Sequence, residues 1–243
     1  MTLAARDRMR GMRIATLNLQ HGGGARVKGL CEALGQLDAD VLVLTEFRIG
    51  QRADALTTWL RERGYCQISH GGPPEKVNSV LVAARDGATR PRPLPASSAH
   101  AHRVVELTAG EVLIVGVYFP GNAIKDRFWR AEFLPYVASR VGEPCLVIGD
   151  FNTGKHRLDE DGATFFSADC IGTLEQAGWV DPWRSRNPLA REFTWFNHTG
   201  SGFRLDHAYA SPALARRVTA SWYDQTPRTS RVSDHAALVV DIA

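Results

Sequence analysis

Six apolar runs in this chain each meet a short polar cluster at one end, and that repeated ending constrains the fold more than any other feature. RIATL runs into Asn18, VLVLT into Glu46, VLIVGV into Tyr118, and LVIG into Asp150 and Asn152. The last run is preceded by Ser233, Asp234 and His235, and another opens at Arg204, Leu205, Asp206 and His207. Short apolar runs bounded by glycine or polar residues read as buried strands. A carboxylate or amide buried at the end of such a strand must be paired or hold a cation, because leaving it bare costs several kcal/mol. One ending of this kind is explained by a solvated loop tip. Six on separate strands argue for a shared site on one rim of the sheets.

Strands are expected at 13–18, 41–45, 80–84, 104–107, 112–118, 145–149, 205–210 and 236–241, and helices at 27–37, 53–63, 125–141 and 168–176. Runs such as VLVL and VLIV are apolar throughout, as for strands covered on both faces. Strands outnumber helices, and SVLVAA and VLIVGV lie on either side of a short VVEL strand. This predicts an α/β chain whose sheets pack on each other with helices outside, not a simple doubly wound sheet. Pro91, Pro93 and Pro95 mark a long loop over 86–99 that suits polyproline II.

No apolar stretch approaches a membrane span. The basic start MTLAARDRMRGMR has no apolar segment behind it, which reads against a secretory signal. Cys31, Cys66, Cys145 and Cys170 are widely separated, with no CxxC pair. They suit small core residues in a reducing, cytoplasmic setting. Net charge is +3, but between Arg184 and Arg231 the chain carries Arg184, Arg186, Arg191, Arg204, Arg216, Arg217, Arg228 and Arg231 and no lysine. A phosphate-bearing partner and ordinary solvated faces of an arginine-rich chain account for this equally well.

The residue types at the rim select a chemistry. Glu46, Asp150 and Asp234 are hard oxygen donors, supplemented by the amides of Asn18 and Asn152, and no thiolate joins them. Such a set points to Mg²⁺ or Mn²⁺ far more than to zinc. His235 suits a general base or a phosphate-side donor, with Asp206 to fix its tautomer. Tyr118 offers a phenol or phenolate. The reaction implied is metal-assisted hydrolysis of a phosphate ester. Other residues carry two readings. His21 beside Gly22–Gly24 marks either a close approach to phosphate or only a tight turn. Trp195, Phe196 and Phe203 suit base stacking, worth about 1–3 kcal/mol per base, or core packing. Arg204 is a candidate substrate contact and His207 a structural residue. Lys155, His156 and Arg157 line a groove or are solvated.

In order along the chain, TLNLQ, VLTE, VYFP, GDFN, FRLDHAYAS and SDHAALVV resemble the motifs of the endonuclease/exonuclease/phosphatase superfamily, nearest its exonuclease III-like branch. The resemblance runs from Met12 to the end, so residues 1–11 are expected to be a disordered extension and 12–243 one catalytic domain. It implies a four-layer α/β sandwich, two mixed sheets face to face with helices outside. It also implies Glu46, Asn18 and Asp234 on the metal side, Asp150 on the attacking water, and Asn152, His235, Tyr118 and Asp206 as catalytic partners. His21, Arg204, Trp195 and Phe203 fall on the substrate side. The implied function is a Mg²⁺- or Mn²⁺-dependent phosphodiesterase, a nuclease acting on DNA or RNA. The alternative is a phosphatase or a phospholipid or inositol-phosphate phosphodiesterase on the same scaffold. Three departures stand out: the triple glycine after His21, Asn122 one place late after Pro120, and a shortened Asn197–Gly202 loop followed by Phe203 in place of tryptophan. The last argues against abasic-site specificity.

Overall fold

Strands that are apolar on both faces need a cover on each side, and the chain provides it with two sheets and two helical layers. The computed structural model describes residues 11–89, 94, 98–121 and 124–243. Residues 1–10, the prolines at 91, 93 and 95, and Asn122 lie outside the described residues.

In chain order the strands are β1 (Met12–Asn18), β2 (Val41–Phe47), β3 (Gln67–His70), β4 (Ser79–Ala84), β5 (Ala88–Thr89), β6 (Val104–Ala109), β7 (Val112–Tyr118) and β8 (Cys145–Asp150). Then come β9 (Trp195–Phe196), β10 (Gly202–Phe203), β11 (Asp206–Ala210), β12 (Val218–Asp224) and β13 (Ala237–Ile242). One sheet has the order β12-β13-β1-β2-β4-β3, the other β11-β8-β7-β6-β5, and β9 pairs with β10 as a separate hairpin. The period-two alternation of strands divides their side chains cleanly. In β2, Val41 and Val43 enter a core shared with Ile114, Leu146 and Ile148 of the other sheet. Leu42 and Leu44 face outward beneath helices α1 (Val27–Leu37) and α2 (Gln51–Glu62). On the far side, Val115, Val117 and Val147 pack under Phe128, Trp129, Phe133 and helix α5 (Ala168–Gln176). The result is the four-layer α/β sandwich, sheet on sheet with helices outside.

The expected helix over 125–141 is interrupted: α3 (Ile124–Arg127) passes into a π-helical run, Phe128–Phe133, before α4 (Leu134–Ala138). Strand β12 was not legible as an apolar run, because at a sheet edge only Val218 of VTASWYD is buried. Cys31, Cys145 and Cys170 are buried, and Cys66 is exposed. Among the described residues no helix is long and apolar enough to cross a membrane.

Strand direction decides where the polar ends meet. β1 and β2 run parallel, with Asn18 opposite Thr45, and β7 and β8 run parallel, with Tyr118 opposite Asp150. β11 runs antiparallel to β8, so its first residue, Asp206, lies opposite Asp150. All of these ends therefore fall on one rim.

Candidate active site

Glu46 reaches the rim through a bulge. Pairing of β2 with β4 shifts register between Thr45 and Phe47, and Glu46 takes a φ of 54°, the kind of irregularity that re-aims a side chain. The turn Gln20–Gly24 wraps around it with positive φ at every residue. His21 N donates to Glu46 Oε2 at 2.7 Å and Gly22 N to the Glu46 carbonyl at 2.8 Å. A side chain at residue 23 would put its Cβ 2.7 Å from Leu30 Cδ1 in a left-handed backbone, so the glycine run is what lets the turn close on Glu46. The His21 imidazole lies against the same carboxylate, Nδ1 to Oε2 2.8 Å.

Asn18 is fully buried between two carboxylates. Its Nδ2 donates to Asp150 Oδ2 at 3.1 Å and faces Glu46 Oε1 at 3.4 Å, while its Oδ1 accepts from Gln20 N at 2.7 Å. Tyr118 Oη lies 3.4 Å from Glu46 Oε1 and from Asn78 Nδ2. Asp150 itself depends on Gly149, where a Cβ would sit 2.0 Å from the Val117 carbonyl. That answers why the run LVIG ends on glycine: nothing larger lets β8 stay alongside β7 as far as the carboxylate. Asn152, at φ 50°, donates its N–H to Asp150 Oδ1 at 2.8 Å and its Nδ2 to the Phe119 carbonyl at 2.9 Å.

His235 and Asp206 are both buried, with Nδ1 2.8 Å from Oδ2. Ser233 Oγ braces this pair to β1, accepting from His235 N and donating to the Asn18 carbonyl at 2.7 Å. Ligand-type atoms of Asp150, Asp206 and His235 lie within 4.8 Å of one another. Burial resists charging the His235 ring, but the Asp206 carboxylate overrides it and holds the imidazolium up to about 10. Burial, then Asp206, pushes the Asp150 carboxyl up to about 7 against the pull of His235. Burial together with Glu46 and Asp150 raises the Tyr118 phenol, which selects phenol over phenolate as the form present near neutral pH.

The same crowding of negative charge tests the site for a cation. Oδ1 of Asp206 and Oδ1 of Asp234 are buried with no hydrogen-bond partner among the described residues, and orphaned carboxylate oxygens of this kind are what a hard divalent ion binds. The residues therefore fit a divalent metal. Asp234 otherwise accepts from Trp195 Nε1 at 3.2 Å.

The structure brings Asn18, Glu46, Tyr118, Asp150, Asn152, Asp206, Asp234, His235 and His21 to one rim, with Trp195 and Phe203 beside them. Trp195 lies 6.5 Å from His235 and 5.7 Å from Phe203, between ring centroids. Arg204 is a correction. It has no exposed surface, and its guanidinium donates to Asp159 Oδ1 at 2.6 Å and Asp181 Oδ2 at 2.8 Å. A side chain locked between two buried carboxylates cannot meet substrate. His207 is structural as expected, its Nε2 within 3.0 Å of the Thr153 and Arg204 carbonyls. Lys155 pairs with Glu175 and His156 with Glu160.

Two residues escaped the sequence reading: Asn78 and Arg48. Arg48 Nε donates to Asn78 Oδ1 at 2.5 Å, and Arg103 lies over the Tyr118 ring at 4.9 Å. Asn78 precedes a strand, and since β4 is antiparallel to β2 it is the start of β4 that reaches the rim. Asn78 is a lone amide ahead of SVLVAA with no carboxylate or histidine next to it, so nothing local marks it.

The sequence model of the Endonuclease/Exonuclease/phosphatase family matches residues 15–235. The chain belongs to this family. Among solved structures, an AP endonuclease from Archaeoglobus fulgidus superposes with a TM-score of 0.81 at 20% identity, over 95% of this chain and 99% of that one. A 3′ phosphatase, NExo, from Neisseria, bound to a product DNA hairpin, gives 0.79 at 23% identity over 96% and 99%. The 3′–5′ exonuclease NExo from Neisseria meningitidis gives 0.78 at 23% identity over 95% and 99%. No curated protein matches the chain in sequence. As a member of the Endonuclease/Exonuclease/phosphatase family, whose enzymes depend on a divalent metal, the chain is a phosphoric ester hydrolase.

Proposed function

We propose that the chain is a Mg²⁺- or Mn²⁺-dependent phosphodiesterase that cleaves nucleic acid, DNA foremost, by in-line attack of water. The observation that carries this reading is the connected set Asn18–Glu46–Asp150, with Tyr118 on Glu46 and the buried Asp206–His235 pair adjoining Asp150. Glu46 and Asp234 would hold the ion, with Asn18 bracketing the carboxylates. When bound, it supplies Lewis-acid stabilisation of the phosphate and of the leaving oxygen.

The remaining steps belong to the protein. Asp150, fixed on one oxygen by Asn152 N–H and on the other by Asn18, orients the attacking water and takes its proton. His235, kept cationic by Asp206, donates to a nonbridging phosphate oxygen where negative charge grows. Tyr118 and the second Nδ2 proton of Asn152 add neutral donors on the same side. Trp195 and Phe203 form an aromatic shelf next to His235, suited to a base or sugar, and His21 flanks the opposite side.

DNA is favoured because similar structures include an AP endonuclease and a phosphatase bound to a DNA hairpin. The test is a substrate panel with Mg²⁺, Mn²⁺ and EDTA: abasic duplex, nicked and single-stranded DNA, 3′-phosphorylated DNA, RNA, and sphingomyelin vesicles. Metal-dependent cleavage of a nucleic acid is expected. Hydrolysis of the lipid alone would overturn the substrate assignment.

A further inference from the structure

Lys125 is a charged residue that the reaction scheme above does not use, and the fold places it where a charge is costly. It is 3% exposed. Sequestering an ammonium in this way costs several kcal/mol unless its donors are engaged and an opposite charge is near. The neighbouring carboxylate is not that partner: Asp126 is half-exposed and taken by Arg130, at 3.0 Å, and by Ser167. The Lys125 ammonium instead donates to the backbone carbonyl of Asn152. Burial pushes it down to about 8, and the carboxylate that pulls the other way is Asp150.

The contact falls on a residue with little slack. Asn152 adopts a left-handed backbone, its N–H is spent on Asp150 Oδ1 and its side-chain amide on the Phe119 carbonyl. Lys125 holds its carbonyl, so the peptide groups on both sides of Asn152 and its side chain are each tethered to a different element: β8, the end of β7, and α3. The helix that carries Lys125 widens into the π-helical run Phe128–Phe133 on the next residue but two, and π turns recur at functional sites. Phe128, Trp129 and Phe133 anchor that run on Phe119 and Phe151, with ring centroids 4.5–6.2 Å apart. The aromatic box beneath the site thereby fixes the origin of the lysine stem.

We propose that Lys125 is a positioning residue for hydrolysis: its ammonium clamps the Asn152 carbonyl, and through the Asn152 N–H it fixes the direction in which Asp150 presents its carboxylate. This rests on Asp150 being the residue that orients the attacking water. A group that orients a catalytic partner without touching substrate alters turnover more than binding, and losing such a partner lowers activity about 10–100-fold.

The experiment compares wild type, Lys125→Met, Lys125→Arg and Asp150→Asn on bis(p-nitrophenyl) phosphate with Mn²⁺, together with amide hydrogen exchange of the segment 150–153. Lys125→Met keeps most of the stem and removes the donors. The expected result is a kcat lowered at least tenfold with KM within twofold, faster exchange at 150–153, an unchanged melting temperature, and partial recovery in Lys125→Arg. Should the Met variant not fold, Lys125→Gln replaces it: its amide is shorter and uncharged, so it loses the clamp, and the same tenfold fall in kcat with KM within twofold is expected. A kcat within twofold of wild type, or a loss shared equally by kcat and KM with unchanged exchange, overturns the inference. An inactive Asp150→Asn beside a fully active Lys125→Met would sink the role of Lys125 alone, whereas an active Asp150→Asn would remove the reading on which it stands.

Discussion

Replacing Arg204 by methionine separates a structural charge from a substrate contact, and the structure sets the size of the effect. The guanidinium bridges Asp159, through Nε at 2.6 Å and Nη2 at 3.2 Å, and Asp181, through Nη1 at 2.8 Å, with Tyr223 Oη at 3.3 Å. Removing one partner of a buried ion pair costs about 3–5 kcal/mol, because the charge left behind has lost its compensation. The loss should fall at the lower end here. Asp159 keeps Arg184 at 2.5 Å, and Asp181 keeps the amides of Trp183 and Arg184 as the cap of a short helix. About 3 kcal/mol in a chain of this size corresponds to a fall in melting temperature of about 6–12 °C. Thermal unfolding followed by circular dichroism reads that shift, and kinetics well below the new midpoint should give a KM within twofold of wild type. A melting temperature within 2 °C of wild type together with a KM raised tenfold or more would refute the reasoning and return Arg204 to the substrate.

Three further expectations follow from the same geometry. Asp206→Asn removes the carboxylate that holds His235 near 10, so the alkaline limb of the pH–rate profile should move down toward the ordinary histidine value of about 6.5; an unmoved limb would exclude His235 as its source. Asp159 is held near 2: burial opposes its ionisation, and Arg204 and His207 overcome that. The stability it contributes is present above about pH 4 and is lost as pH falls through 2, about 2 kcal/mol in all. Urea unfolding of the wild type over that window should show the fall, and a flat profile would contradict it. Asp234→Asn should weaken Mn²⁺ binding measured by calorimetry about 10–100-fold, and unchanged affinity would take Asp234 off the metal.

Much of this site was legible because strand ends carry two signals at once, an apolar run that fixes the element and a polar residue that cannot be buried unpaired. Asn18, Glu46, Asp150 and the Asp234–His235 pair were found that way. The α1 and α5 spans and β7 were read to the residue. Arg204 misled for a physical reason: within FRLDH an arginine next to an aspartate of the candidate site looks the same whether it faces solvent or two distant carboxylates. Its partners Asp159 and Asp181 lie 45 and 23 residues away, and nothing local marks them. Asn78 was missed because it is a lone amide before its run, with no carboxylate or histidine next to it. Lys125 was read only as the start of a helix, since the carbonyl it holds belongs to another strand. The edge strand β12 lacked the continuous apolar run that a two-sided cover imposes.

The proposed function requires that Glu46 and Asp150, brought together through Asn18, make one metal-dependent hydrolytic centre. Its most direct test is release of p-nitrophenol from bis(p-nitrophenyl) phosphate by purified Glu46→Gln and Asp150→Asn, with Mg²⁺ or Mn²⁺ and with EDTA. The expected results are turnover lowered by about 10²–10⁴-fold in each variant, a wild-type rate abolished by EDTA and restored by metal, and melting temperatures that show both variants folded. Turnover within tenfold of wild type in either folded variant, or a wild-type rate indifferent to EDTA, would contradict it.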